Sequence, residues 1–227
     1  MPRYGRIGAG LAAVALLTSL IGAAPAAASP SSSLAGAVLT YPTPGGTAVA
    51  VGDVIQASLA SGTNATFYSS TTGTTGVKCA ASSFSATVLS NPPAPGTATE
   101  SLTAQTFTSC TSNVAGTTGV NSVTVNNLPY ATSVTSAGVV TISGTATAPI
   151  QSTVVLNTLL GPITCVYRTS SNTLTGTAVN ATNSIVFTNQ VLTKSSGPST
   201  CFSTAYFTAR YSPVQDSTQG GSPVYVN

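Results

Sequence analysis

Very few side chains in this sequence can do covalent chemistry. Among its 227 residues there is no histidine, and the acids number three: Asp53, Glu100 and Asp216. Without an imidazole, neither a Ser-His-Asp triad nor a Cys-His pair can be assembled. A glycosidase needs two carboxyl groups about 5–10 Å apart. Here Asp53 follows Gly52 at a strand start, Asp216 sits in the loop-like run SPVQDSTQGG, and Glu100 precedes a strand. The chain also has no Trp with which to build a sugar platform. A Ser–Lys dyad would need an SxxK spacing, which is missing around Lys78 and Lys194. Lys194-Ser195-Ser196-Gly197 reads instead as a hairpin loop. The expectation is a protein with no catalytic residues, not an enzyme.

Cys79, Cys110, Cys165 and Cys201 remain. Their wide spacing, with no CxxC and no histidine, does not suit a zinc site, so no metal and no cofactor is expected. An even number behind an export signal reads as two disulfides, for which three connectivities exist. Cys79–Cys110 with Cys165–Cys201 is preferred, because each pair then closes a similar loop within one half of the chain.

The export signal is legible at the N-terminus. Arg3 and Arg6 precede the apolar run 7–21, and Ala26-Ala27-Ala28 matches a small-x-small cleavage site. The run is shorter than the roughly 20 residues that span a bilayer as a helix. Residues 1–28 are therefore expected to be a signal peptide, and 29–36 a polar, mobile leader. No membrane span is expected after cleavage. Lys78, Arg168, Lys194 and Arg210 are then the remaining cations, and four scattered charges cannot track a phosphate backbone, so nucleic acid is not an expected partner.

What must position these groups is a β-scaffold. From Ala37 on, short β-branched runs alternate with Gly, Pro and Asn: AVLTY (37–41), TAVAV (47–51), DVIQASLA (53–60), SFSATVLS (83–90), NSVTVNNL (121–128) and GVVTISGTATA (138–148). Val123 and Val125 oppose Ser122 and Thr124, a period of two. No window carries a helical stripe. The expected fold is all-β, an antiparallel β-sandwich over 37–227 with two disulfides. The segments bounded by cysteines read alike, each with a Gln (Gln105, Gln190) in the strand before its second cysteine. That suggests two similar β halves, 37–135 and 136–227. The terminal SPVYVN reads as a closing strand.

Strand parity in CFSTAYFTARYS (201–212) puts Cys201, Ala205, Phe207 and Tyr211 on one face, and Tyr206, Thr208 and Arg210 on the other. In ITCVYRTS (163–170), Cys165 and Tyr167 oppose Val166 and Arg168. Arg168, Tyr206 and Arg210 should thus share the outward face and form the candidate binding surface, since Tyr and Arg are enriched at binding hot spots.

The signal-like N-terminus, together with 153–168 (TVVLNTLLGPITCVYR), 174–178 (LTGTA), 183–192 (NSIVFTNQVL), 201–214 and the terminal SPVYVN, resembles β-rich secreted proteins of actinobacteria. The first half, with its Cys79–Cys110 segment and VTVNNLPYATSV (123–134), is similar to β-rich secreted proteins linked to hydrocarbon uptake. The resemblance implies an extracellular or cell-wall location and carries no activity or site residues. Together these readings predict a secreted, non-catalytic extracellular or cell-envelope protein that acts by binding a protein or a cell-wall polymer, or by self-association through edge strands guarded by few charges. The alternative is a secreted carrier of a small apolar molecule, held in a cleft between sheets. Secreted actinobacterial sandwich proteins that sequester antibiotics are similar in their Thr/Ala/Gly-rich style and two disulfides, but their cysteine loops are far shorter.

Overall fold

Two long strands organise the molecule. The computed structural model describes residues 36–227; the expected signal peptide 1–28 and all of the expected leader except Gly36 lie outside the described residues. Gly36 is already tied in, its carbonyl accepting from the Ala94 N–H at 2.7 Å. The first elements are β1 (Leu39–Tyr41), β2 (Thr47–Ala48), β3 (Val54–Ser58), β4 (Ala65–Tyr68), β5 (Gly76–Ser90) and β6 (Thr97–Ser112). Next come β7 (Thr117–Asn126), β8 (Tyr130–Thr135), β9 (Val139–Ser143), β10 (Gln151–Thr158), β11 (Gly161–Arg168) and β12 (Thr173–Val179). After a 3₁₀ turn (Asn180–Thr182) follow β13 (Ser184–Ser196), β14 (Thr204–Tyr211), β15 (Gln215–Asp216), β16 (Ser222–Pro223) and β17 (Tyr225–Val226).

The pairings close a ring. Going round, β5 pairs β6, then β8, β9, β12, β13, β14 and β4 follow, and β4 pairs β5 again, every step antiparallel. This eight-stranded barrel with extra strands replaces the expected sandwich. The expected halves do not separate. β4, β5, β6 and β8 come from one, β9, β12, β13 and β14 from the other, and the joins β8–β9 and β4–β14 cross between them. β11, β10 and β7 extend the sheet from the C-terminal part of β13. β3 lies along β5, with β15 and β16 beyond it, while β17 and β2 flank β1. The terminal SPVYVN does close the structure, Val226 pairing with Leu39. Val224 is buried and Asn227 Nδ2 donates to Thr40 Oγ1 at 2.8 Å.

Closure requires curvature, and irregularities in the long strands supply it. In β6 the register shifts at Thr103, which has no cross-strand partner, so the inward set changes from Ala98, Glu100 and Leu102 to Phe107. In β13 the register shifts between Phe187 and Gln190, where Asn189 has φ 48°. An extra residue bends a strand and raises its twist, which is how a sheet curls onto itself. Both bulges lie just before the two glutamines noted in the sequence. Lys194–Ser196, expected in a loop, are the last residues of β13.

The short closing strand β4 is held by Phe67, whose ring lies 5.2 Å from Phe107 and 5.1 Å from Phe207. The four cysteines form two bonds. Cys79 and Cys110 sit directly opposite on β5 and β6, while Cys165 on β11 joins Cys201 in the loop before β14.

Candidate functional site

Inside the barrel, three adjoining cavities follow one another, of about 50, 40 and 30 Å³. The largest is walled mainly by aromatic and aliphatic groups, among them Phe67, Leu102, Phe107, Ile142, Leu192 and Phe207. Leu102, Gln105, Ile142, Phe187 and Tyr211 are common to it and the smallest. The smallest shares Phe84, Glu100, Val140 and Ile185 with the third. A space of about 10–15 Å³ holds a water, so each has room for a small group.

The strands place polar groups in this apolar interior by their alternation. Tyr211, the last residue of β14, is 1% exposed, and its hydroxyl lies 2.9 Å from Ser82 Oγ while accepting from Gln105 Nε2 at 2.9 Å. Burial pushes its phenol up to about 12, against the pull of those two hydrogen bonds. Tyr130 Oη donates to the Asn126 carbonyl and accepts from the Gln151 N–H at 3.1 Å. These groups are satisfied and fix the wall.

Glu100 is different. It stands inside β6, not before a strand, between the inward residues Ala98 and Leu102, and is 6% exposed. It borders both smaller cavities. Burial raises its carboxyl from 4.5 to about 7, because removing a carboxylate from water disfavours the charged form. Directly opposite on β8 is Thr132, whose buried Oγ1 has no hydrogen-bond partner. No lysine or arginine lines any of the three cavities.

The other two acids are also buried and meet each other. Asp53 Oδ2 accepts from the Ala50 N–H at 2.9 Å and from Gln219 Nε2 at 3.4 Å. Asp216 belongs to β15 and is fully buried. Its Oδ1 accepts from the Thr218 and Gln219 N–H groups at 2.9 and 3.2 Å. Burial first, then the charge of neighbouring Asp53, raises Asp216, whose Oδ2 is buried without a hydrogen-bond partner. This pair seals β15 against the start of β3. Glu100, Asp53 and Asp216 read as turn or strand-edge residues in the sequence; only the inward alternation of Ala98, Glu100 and Leu102 could have marked Glu100. Asp53 and Asp216 gave no signal, being brought together by pairing between β3 and β15.

One end of the barrel is covered by the 3₁₀ turn. Asn180 exchanges two hydrogen bonds with the Val226 backbone, at 2.7 and 3.0 Å, and Asn183 bonds Val224 and Val214 at 2.8 and 2.6 Å.

The outward set from the sequence is placed on one face but not in one cluster. Inward Cys165, Tyr167, Ala205, Phe207 and Tyr211 are buried as parity requires. Arg168 is exposed and its Nε donates to Gln151 Oε1 at 2.7 Å. Tyr206 lies between Val191 on β13 and Tyr68 on β4. Arg168 aligns with Thr193 and, beyond it, Thr204. Arg210 is six residues further along β14, roughly 20 Å at the rise of an extended strand. Its Nε is buried and lacks a partner. Arg168 and Arg210 therefore cannot engage one small ligand. Lys194, weighed for a Ser–Lys dyad, instead donates its ammonium to the Pro198 and Cys201 carbonyls at 3.2 and 3.1 Å.

Compared with protein-family models, curated proteins and solved structures, the chain matches none.

Proposed function

We propose that this chain is an exported, non-catalytic binding protein that takes a small, mainly apolar molecule into its barrel. The observation that carries the reading is the apolar interior, with three adjoining cavities and a buried Glu100 opposite the unpartnered Thr132 on their wall. Eight-stranded barrels are of the size that either fills with side chains or holds one small ligand. The export reading is supported by the N-terminal sequence and the two disulfides. A binding role without catalysis is supported by the missing histidine and by four cysteines that are all bonded.

The test is calorimetric titration of the mature protein with 1-hexanol, for the natural sequence and for Val140→Phe, which adds bulk where two cavities meet. Binding by the first and its loss in a folded second is expected. Absence of binding in both, or equal binding by both, overturns the proposal.

Self-association is a second reading, favoured by Leu159 and Leu160. They form the β10–β11 turn and are 91% and 101% exposed. Sedimentation of Leu159→Ser/Leu160→Ser beside the natural chain decides it: the reading requires a larger particle that the double variant loses.

A further inference from the structure

We propose that the Glu100–Thr132 couple is the head-group site of the barrel and that its ligand carries a single protonated amine on an apolar tail. The inference rests on the barrel being a ligand site and adds the chemical class of the ligand.

Two polar groups on adjacent strands face one cavity, and the protein satisfies neither. Thr132 Oγ1 is buried without a partner, and no hydrogen bond from the described residues offsets the burial that raises the Glu100 carboxyl. Nearby Tyr211, Ser82 and Gln105 are bonded to one another. A polar side chain buried without a partner costs roughly 1–3 kcal/mol, and a carboxylate more. A fold that satisfies the tyrosine and leaves the carboxyl open has kept an acceptor for something that enters.

The sign of the charge narrows the class. The groups that share cavities with Glu100 are mainly apolar side chains, with Thr132 of β8, Gln105 of β6, the Tyr211 phenol of β14 and, in the other cavity it borders, Asn180, Asn183 and Ser184, none of them a cation. The remaining titratable groups nearby are themselves acids. Asp53 precedes β3, whose Val54 pairs with Thr87 on β5, and Val88 on β5 pairs with Glu100, so the Asp53–Asp216 pair lies two strands away. Among the described residues no cation lines these three cavities. An ionised carboxylate there needs a positive partner, and the ligand is where one can come from. An ammonium donates three hydrogen bonds, enough for both Glu100 oxygens and Thr132 Oγ1. The tail then lies along Leu102, Ile142 and Phe187 into the largest of these three cavities.

The experiment compares hexylammonium with 1-hexanol, which share a tail, on the mature chain and on Glu100→Gln. In the natural protein hexylammonium should bind more tightly than hexanol at pH 8. Its affinity should fall about tenfold at pH 6, where the empty barrel holds Glu100 protonated, while hexanol stays constant. Glu100→Gln should keep hexanol binding and lose both the amine preference and its pH dependence. In carbon NMR the Glu100 carboxyl should titrate lower with hexylammonium bound. An amine-to-alcohol ratio that is the same in both proteins, or flat with pH, overturns the head-group assignment while leaving the barrel reading intact. If neither probe binds, both fall.

Discussion

Replacing Glu100 by Gln should make the protein more stable at neutral and alkaline pH. In the unfolded chain this carboxyl ionises near 4.5, whereas in the barrel it stays protonated to about 7. The folded state therefore holds a proton that the unfolded state has released, and stability falls as pH rises through that window. A displacement of that size corresponds to about 3 kcal/mol. Below pH 4 both forms are protonated and Gln, a neutral isostere, should change little. Above pH 7 the natural protein carries the whole deficit and the variant carries none. Urea unfolding followed by circular dichroism at pH 4, 6 and 8 measures this. The variant's advantage should grow from near zero to about 3 kcal/mol, with unchanged urea dependence. Asp216 titrates in both proteins and cancels in the difference. A flat difference, or one that shrinks with rising pH, would refute the burial of an unpaired carboxyl in the barrel.

Asp216→Asn should likewise gain stability as pH rises above the ordinary aspartate range, because the raised Asp216 loses its proton there next to Asp53; a urea series that shows loss at pH 8 counts against a raised Asp216. Phe67→Ala removes the ring that anchors the closing strand and should cost about 3–5 kcal/mol, read as an earlier urea midpoint. Tyr211→Phe leaves Ser82 and Gln105 without the shared hydroxyl and should cost about 1–3 kcal/mol. Reducing both disulfides, whose partners are 31 and 36 residues apart, should lower stability by about 3–4 kcal/mol for each bond in the chain-entropy view; thermal melts with and without reductant test it.

Local chemistry made much of the scaffold readable in advance. Strand parity follows from a period of two, so the buried set Cys165, Tyr167, Ala205, Phe207 and Tyr211 could be written down from neighbours alone. The terminal SPVYVN and the cysteine pairing were equally local in their logic, one an alternating strand, the other a matter of loops closed within one half. The glutamines before the second cysteines were visible too, but not their parts. Gln105 turns into the barrel toward Tyr211, while Gln190 Oε1 accepts from the Thr175 N–H at 2.7 Å where β12 leaves β13.

The candidate site belongs to the other category. Whether a set of alternating strands packs as two sheets or closes as one ring depends on which edges meet, and β4 finds β14 across more than a hundred residues. No short window contains that information, because each strand's pattern says which face is buried and not against what. The same blindness covered the acids: Glu100 is an unremarkable letter in a Thr-rich strand until β8 and β9 complete the wall around it. Composition and alternation determined that the chain is β, stapled and poor in catalytic groups. Ring closure alone decided that its inner face encloses a carboxyl, in cavities that no cation of the described residues lines.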